Sequence, residues 1–116
     1  MKKNIFLFFH LNLSFSSIKL IERKSVIKNC YWNILRLINN TKTVIGIEVS
    51  GHTLELINDI DKTWIEEFKT LLKNKKVFLI ESGYSQIIGP LVPYEINNYN
   101  LIIGNKGLMV FLSLVF

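Results

Sequence analysis

Apolar residues along this chain gather into three short, nearly unbroken runs, and between the runs they recur every three or four positions. The runs are Asn4-Ile5-Phe6-Leu7-Phe8-Phe9, Thr43-Val44-Ile45-Gly46-Ile47 and Val77-Phe78-Leu79-Ile80, and they lead into His10, Glu48 and Glu81. Runs of this length without alternation are the mark of strands buried on both faces, as in parallel sheets. Strands that alternate with helical stretches point to an α/β fold with parallel strands. In such folds the strand C-termini converge on one rim, where functional residues collect. The pattern therefore predicts that His10, Glu48 and Glu81 are near neighbours.

The stretches between the runs read as helices. After a loop over Leu11 to Phe15, Ser16 or Ser17 is an N-cap candidate for a long helix with Ile27, Tyr31, Ile34 and Ile38 on its apolar stripe, widened by Cys30 and Leu35. Asn39, Asn40 and Thr41 end it. Val49 to His52 reads as a turn, Thr53 to Ile57 as one or two helical turns, and Asn58 to Asp61 as a loop. Thr63-Trp64-Ile65-Glu66 has capping-box spacing and opens a helix to about Lys73, with Trp64, Ile65, Phe68, Leu71 and Leu72 inward. Gly89, Pro90 and Pro93 argue against a long helix after the third strand, and Tyr94 to Asn100 reads as a surface loop.

Length limits the architecture. The chain has 116 residues, 49% of them hydrophobic, which is one domain with ample material for a core. A closed barrel of alternating strands and helices typically takes about 250 residues, so three units make less than half of one. The formal charge of +5 does not point to nucleic acid. Its Lys and Arg residues are spread over helix faces and ends, with Lys73, Lys75 and Lys76 where a helix dipole favours cations, and no basic run is interleaved with aromatics.

Cys30 is the only cysteine, which leaves no intramolecular disulfide; its place on the apolar stripe predicts a buried thiol, and a reducing, cytoplasmic setting fits. Lys2 and Lys3 before Ile5 to Phe9 imitate a secretory signal, yet His10 and Asn12 interrupt the apolar stretch and no small-residue cleavage site follows. Leu108 to Phe116 is far shorter than the roughly 20 apolar residues that span a bilayer.

The chemical candidates sit at the strand ends. His10 and Asn12 can donate and accept hydrogen bonds to sugar hydroxyls, against the plainer alternative that the imidazole bonds a backbone carbonyl. Glu48 and Glu81 have the residue type of paired glycosidase carboxylates, but substrate binding or support is the reading preferred over catalysis, since carboxylate separation is invisible in a sequence. His10 and His52 are the only histidines, no His-Glu-x-x-His spacing exists, and the glycines form neither a dinucleotide nor a phosphate loop. We therefore expect neither a metal site nor nucleotide binding.

Taken in order, Phe9-His10-Leu11-Asn12-Leu13, the stretch from Gly46 to Glu55, and the stretch from Glu81 to Pro93 resemble the N-terminal part of glycoside hydrolase family 57, over about residues 4 to 104. The resemblance implies an incomplete (β/α)7 barrel, retaining chemistry on α-linked glucans or related polysaccharides, and no obligatory organic cofactor. His10 matches the family's sugar-binding first-strand histidine and Glu81 the glutamate of its second motif. The family often has His-Gln-Pro where this chain has His10-Leu11-Asn12, a departure that resembles its polysaccharide-associated members. The family's nucleophile and acid/base lie on later strands and match nothing here, since Glu95 is the last acidic residue. No catalytic residue is therefore expected, and the substrate-binding set is His10, Asn12, Glu48 and Glu81.

This reading divides the chain into a partial barrel domain, 1–105, and a divergent apolar tail, 106–116, with the look of a truncated or out-of-frame end. The tail is uncharged beyond Lys106 and rich in β-formers, which predicts self-association, with a fourth strand as one outcome. The expected partner is an oligo- or polysaccharide. The rival expectation is a small α/β interaction protein that docks through this tail.

Overall fold

A computed structural model describes residues 3–112. Three strands, β1 (Phe8–Leu11), β2 (Ile45–Val49) and β3 (Val77–Glu81), form one open parallel sheet in the order β1-β2-β3. Their register sets Phe8, Gly46 and Phe78 in one row and His10, Glu48 and Ile80 in another. Between β1 and β2 the chain is helical from a 3-10 turn (Leu20–Glu22) through α1 (Arg23–Val26), a π-helical turn (Ile27–Tyr31) and α2 (Trp32–Asn40). Between β2 and β3 come α3 (Gly51–Ile60) and α4 (Lys62–Lys73), and α5 (Tyr94–Leu112) follows a 3-10 turn at Gly89–Leu91. Helices thus alternate with parallel strands in an open α/β sheet. This is the arrangement expected from the three apolar runs.

Side chains alternate across a strand, and here the alternation divides two unlike surfaces. Leu11, Ile45, Ile47, Val49 and Val77 face the helices and are buried in a single core with Tyr31, Leu35, Ile38, Leu54, Ile57, Trp64 and Phe68. Trp64 and Phe68 stack at 5.1 Å between ring centroids, and Tyr31 lies against Trp64. The other face carries Phe8, Phe78, Gly46 and Ile80, with no helix over it among the described residues; Phe8 is 63% and Phe78 66% exposed.

Local structure departs from the pattern at several points. β1 is the later part of its run, with Ile5, Phe6 and Leu7 exposed before it. Ser16 does not cap a helix: its hydroxyl accepts from the Ile18 N–H within the loop, and the Glu22 carboxylate instead reaches back to the Lys19 N–H at the helix start. Cys30 is exposed, not buried. The helix turns its Leu35 flank to the sheet, and Cys30 lies on the opposite flank of the stripe, within the π-helical turn.

α3 begins at Gly51, because the Ser50 hydroxyl caps it by accepting from the Thr53 N–H, so of the expected turn at Val49 to His52 the first residue ends β2 and the last two open the helix. It also runs through Asn58 and Asp59. Asp61, not Thr63, caps α4: its carboxylate accepts from the Trp64 N–H and the Thr63 hydroxyl, and from the Trp32 indole N–H at 2.7 Å. Burial alone would push the Asp61 carboxyl up, but these hydrogen bonds outweigh it and hold the group below its ordinary value.

α4 ends with Lys75 in the left-handed region, φ 56°, while the N–H groups of Lys75 and Lys76 bond the carbonyls of Leu72 and Leu71. This is a Schellman termination with lysine where glycine is usual.

The largest departure is α5. Tyr94 to Asn100 is helical, not a loop, because Pro93 precedes the first helical turn, a place that needs no N–H from it. The helix also continues through residue 105 into the presumed tail, with Leu108 and Leu112 buried. Residues 106–112 are therefore helical and not a fourth strand; positions 113–116 lie outside the described residues. No helix among those described is long and apolar enough to cross a membrane.

Candidate functional site

The next-to-last residues of β1 and β2, His10 and Glu48, put titratable side chains on the uncovered face. His10 and Glu48 are register partners on adjacent parallel strands, and the His10 Nδ1 and the Glu48 Oε2 are joined by a hydrogen bond. Glu48 Oε1 receives the Gln86 Nε2 donor at 3.4 Å from the loop after β3. The imidazole is half-exposed and Glu48 about one fifth exposed, so the pair is open to solvent while fixed from below by the sheet. A carboxylate has about four acceptor positions, and these two contacts leave Glu48 capacity for a hydroxyl donor. His10 keeps Nε2 for a second partner. Below them, Phe8 and Phe78 flank Gly46, where a Cβ would come within 3.0 Å of the Phe8 Cβ; the glycine lets the apolar floor close up between the strands.

The other two candidates are placed differently. Glu81 ends β3 and is exposed, but its register partner is Val49, so alternation assigns it to the helix-side face, away from Glu48. The structure brings His10 and Glu48 together and does not bring Glu81 into their pair. Asn12 lies on the loop just beyond β1. Its Oδ1 accepts from the N–H groups of Ser14 and Phe15, at 3.2 and 2.9 Å, and its Nδ2 donates to the Phe15 carbonyl at 3.1 Å. Those bonds hold the loop that leaves the rim.

That loop is also held from the helix side. Tyr31, at the end of the π-helical turn, is buried beside the Asn12 backbone; burial pushes its phenol up to about 12, with the Asn12 hydrogen bond partly opposing the shift. Its spacing in the apolar stripe was readable, whereas its reach to the rim was not.

Gln86 and α5 are the parts of the rim that spacing did not disclose. α5 is locked to the loop after β3: the Tyr84 N–H donates to the Asn100 carbonyl at 3.0 Å, and the Asn100 side chain exchanges two hydrogen bonds with the Ser85 backbone. Gly104 permits the approach, since a Cβ there would stand 2.6 Å from backbone atoms of Gly83 and Tyr84. Across the same loop, the N–H groups of Gly51 and His52 donate to the Gly83 and Tyr84 carbonyls. Gln86 is thus presented by a loop fixed on two sides. The sequence contained the signal, in Asn100 and Gly104 four residues apart on one helix face.

The chain matches no protein-family model, no curated protein and no solved structure.

Proposed function

We propose that this chain is the sugar-binding N-terminal part of a family 57-like glycoside hydrolase barrel, acting by lineage on an α-glucan or related polysaccharide, and that it does not hydrolyse glycosides by itself. The observation that carries the reading is the His10–Glu48 pair, joined by Gln86, at the C-terminal ends of adjacent parallel strands on the face that no helix among the described residues covers. In a barrel that face is the interior and its C-terminal end is the substrate side. The reading accounts for both halves of the face: an apolar floor of Phe8, Gly46, Phe78 and Ile80, and a polar rim able to exchange hydrogen bonds with sugar hydroxyls. His10 and Glu48 contact substrate, Gln86 orients Glu48, and the two carboxyl groups that would cleave the bond are supplied by strands outside this sheet.

Isothermal titration with α-1,4-linked gluco-oligosaccharides tests the proposal. Saturable binding that is lost in His10→Ala and weakened in Glu48→Gln is the expected result, with no sugar released on prolonged incubation. Binding indifferent to both substitutions would remove the proposal. Hydrolysis abolished by Glu48→Gln would instead move the catalytic pair into this chain.

The uncovered face also supports a second reading, a small α/β interaction protein that docks a partner on the exposed Phe8 and Phe78. A stable, monodisperse dimer or hetero-complex in sedimentation, without saccharide binding, would favour it.

A further inference from the structure

Beyond the His10–Glu48 pair the rim carries a second cluster built from three separate elements. Phe15 comes from the loop after β1, His52 and Glu55 from the first turns of α3, and Tyr84 from the loop after β3. The His52 ring lies edge-on to Phe15 at 6.3 Å and tilted against Tyr84 at 5.7 Å. The Tyr84 hydroxyl donates to Glu55 Oε2 at 2.7 Å, and that carboxylate holds the phenol above its ordinary value, with burial adding to the shift. His52 Nδ1 is 3.9 Å from the same oxygen, beyond hydrogen-bond reach, and has no hydrogen-bond partner among the described residues.

The chemistry of this cluster is specific. A pyranose presents an apolar C–H face surrounded by hydroxyls, so a site for it needs an aromatic surface next to fixed acceptors and donors. Phe15 leaves about half of its surface open, at 49% exposure. The Glu55 side chain is half-exposed, and one hydrogen bond from Tyr84 leaves acceptor positions on it. Asn12 devotes three hydrogen bonds to the backbone of Ser14 and Phe15, which fixes where the Phe15 ring stands. The cluster is also within reach of the inner pair. Phe15 follows His10 by five residues, and Gln86, the partner of Glu48, follows Tyr84 by two, so the steps span at most about 18 and 7 Å.

We infer that Phe15, His52, Glu55 and Tyr84 form an outer saccharide subsite, which takes a sugar unit of a chain whose inner unit lies at His10 and Glu48. Phe15 supplies the stacking surface, Glu55 accepts from hydroxyls, Tyr84 orients Glu55, and Asn12 is a positioning residue for Phe15. This inference rests on the saccharide-binding reading above.

A length series separates the two claims: glucose, maltose, maltotriose and maltopentaose titrated into the full chain and into His10→Ala, Phe15→Leu, Glu55→Gln and Tyr84→Phe. In the parent chain affinity should rise about three- to tenfold with length, the scale of one aromatic contact. Phe15→Leu keeps an apolar side chain against His52 and should flatten that rise while leaving glucose binding intact; Glu55→Gln should do so in part. His10→Ala should lose binding at every length. Should Phe15→Leu fail to fold, Glu55→Gln and Tyr84→Phe carry the test, since neither changes a buried apolar contact. A length dependence that survives these substitutions, or no length dependence in the parent chain, overturns the outer subsite and leaves the inner one standing. No binding of any saccharide overturns both.

Discussion

The two faces of one sheet have opposite fates although their residues are equally apolar. Ile45, Ile47 and Val49 are at most 1% exposed under α2, α3 and α4, while Phe8 and Phe78, one step along neighbouring strands, are about two thirds exposed. Intrinsic hydrophobicity cannot separate them. The difference is which face the chain's own helices cover, and a parallel sheet is stable with both faces covered. On the open face the titratable residues within the strands are His10 and Glu48, at the C-terminal end, where an apolar surface becomes a polar rim. A face that is greasy below and hydrogen-bonding above is what the proposed barrel, with its substrate at the mouth, requires.

The contrast can be broken first by truncating one aromatic on each side. Phe68→Ala removes a fully buried ring stacked on Trp64 and should cost about 3–5 kcal/mol in chemical denaturation. Phe78→Ala, on the open face, should stay within about 0.5 kcal/mol. Equal losses would mean that the open face is covered in solution, by a second copy or otherwise.

Alkaline titration sharpens the contrast from the core side. The Tyr31 phenol is raised to about 12, so the folded chain holds its proton more tightly than the unfolded one. The stabilisation is intact below pH 10 and is lost as pH rises from 10 through about 12, by roughly 2–3 kcal/mol. Tyr31→Phe should remove that part of the pH dependence in denaturation curves; an unchanged slope would place Tyr31 in water.

Gly104→Ala should loosen α5 from the loop that presents Gln86, at a cost of about 1–3 kcal/mol, and show as faster proteolysis after residue 94 with the sheet retained. Asp61→Asn should cost about 1 kcal/mol at neutral pH. Because the Asp61 carboxyl is held below its ordinary value, its contribution is present above about pH 4 and lost as pH falls through the folded value. The two proteins should therefore converge in acid. The smallest effect has the opposite sign: Lys75→Gly relieves a left-handed lysine and should add about 0.5–1 kcal/mol, read as a raised denaturation midpoint.

The strands, their parallel alternation with helices and the inward stripe of α4 were legible because burial on a sheet or helix imposes a period that residues repeat. Trp64, Ile65, Phe68 and Leu71 are buried as spaced. Cys30 is exposed against expectation because a stripe shows its centre better than its flanks. α5 escapes the rule that proline breaks helices because position decides: Pro93 stands before the helix, where its missing N–H costs nothing. Of the rim, His10 and Glu48 were legible as strand ends, but alternation sends Glu81 to the other face, and Gln86 depends on a loop whose course is set by Asn100 and Gly104. Contacts made through loops and helix packing leave at most a short spacing, such as Asn100 and Gly104 four residues apart, which carries meaning only once the segment is known to be a helix.

Two-dimensional NMR of the labelled chain during titration with maltopentaose reads both ends of the sheet at once. Saturable shift changes are expected at His10, Glu48 and Gln86, extending to Phe15, His52 and Tyr84, with the opposite end of the sheet around Lys42 and Lys76 unmoved. Changes confined to that opposite end, or a spectrum unaltered at saturating sugar, would contradict the proposed saccharide binding.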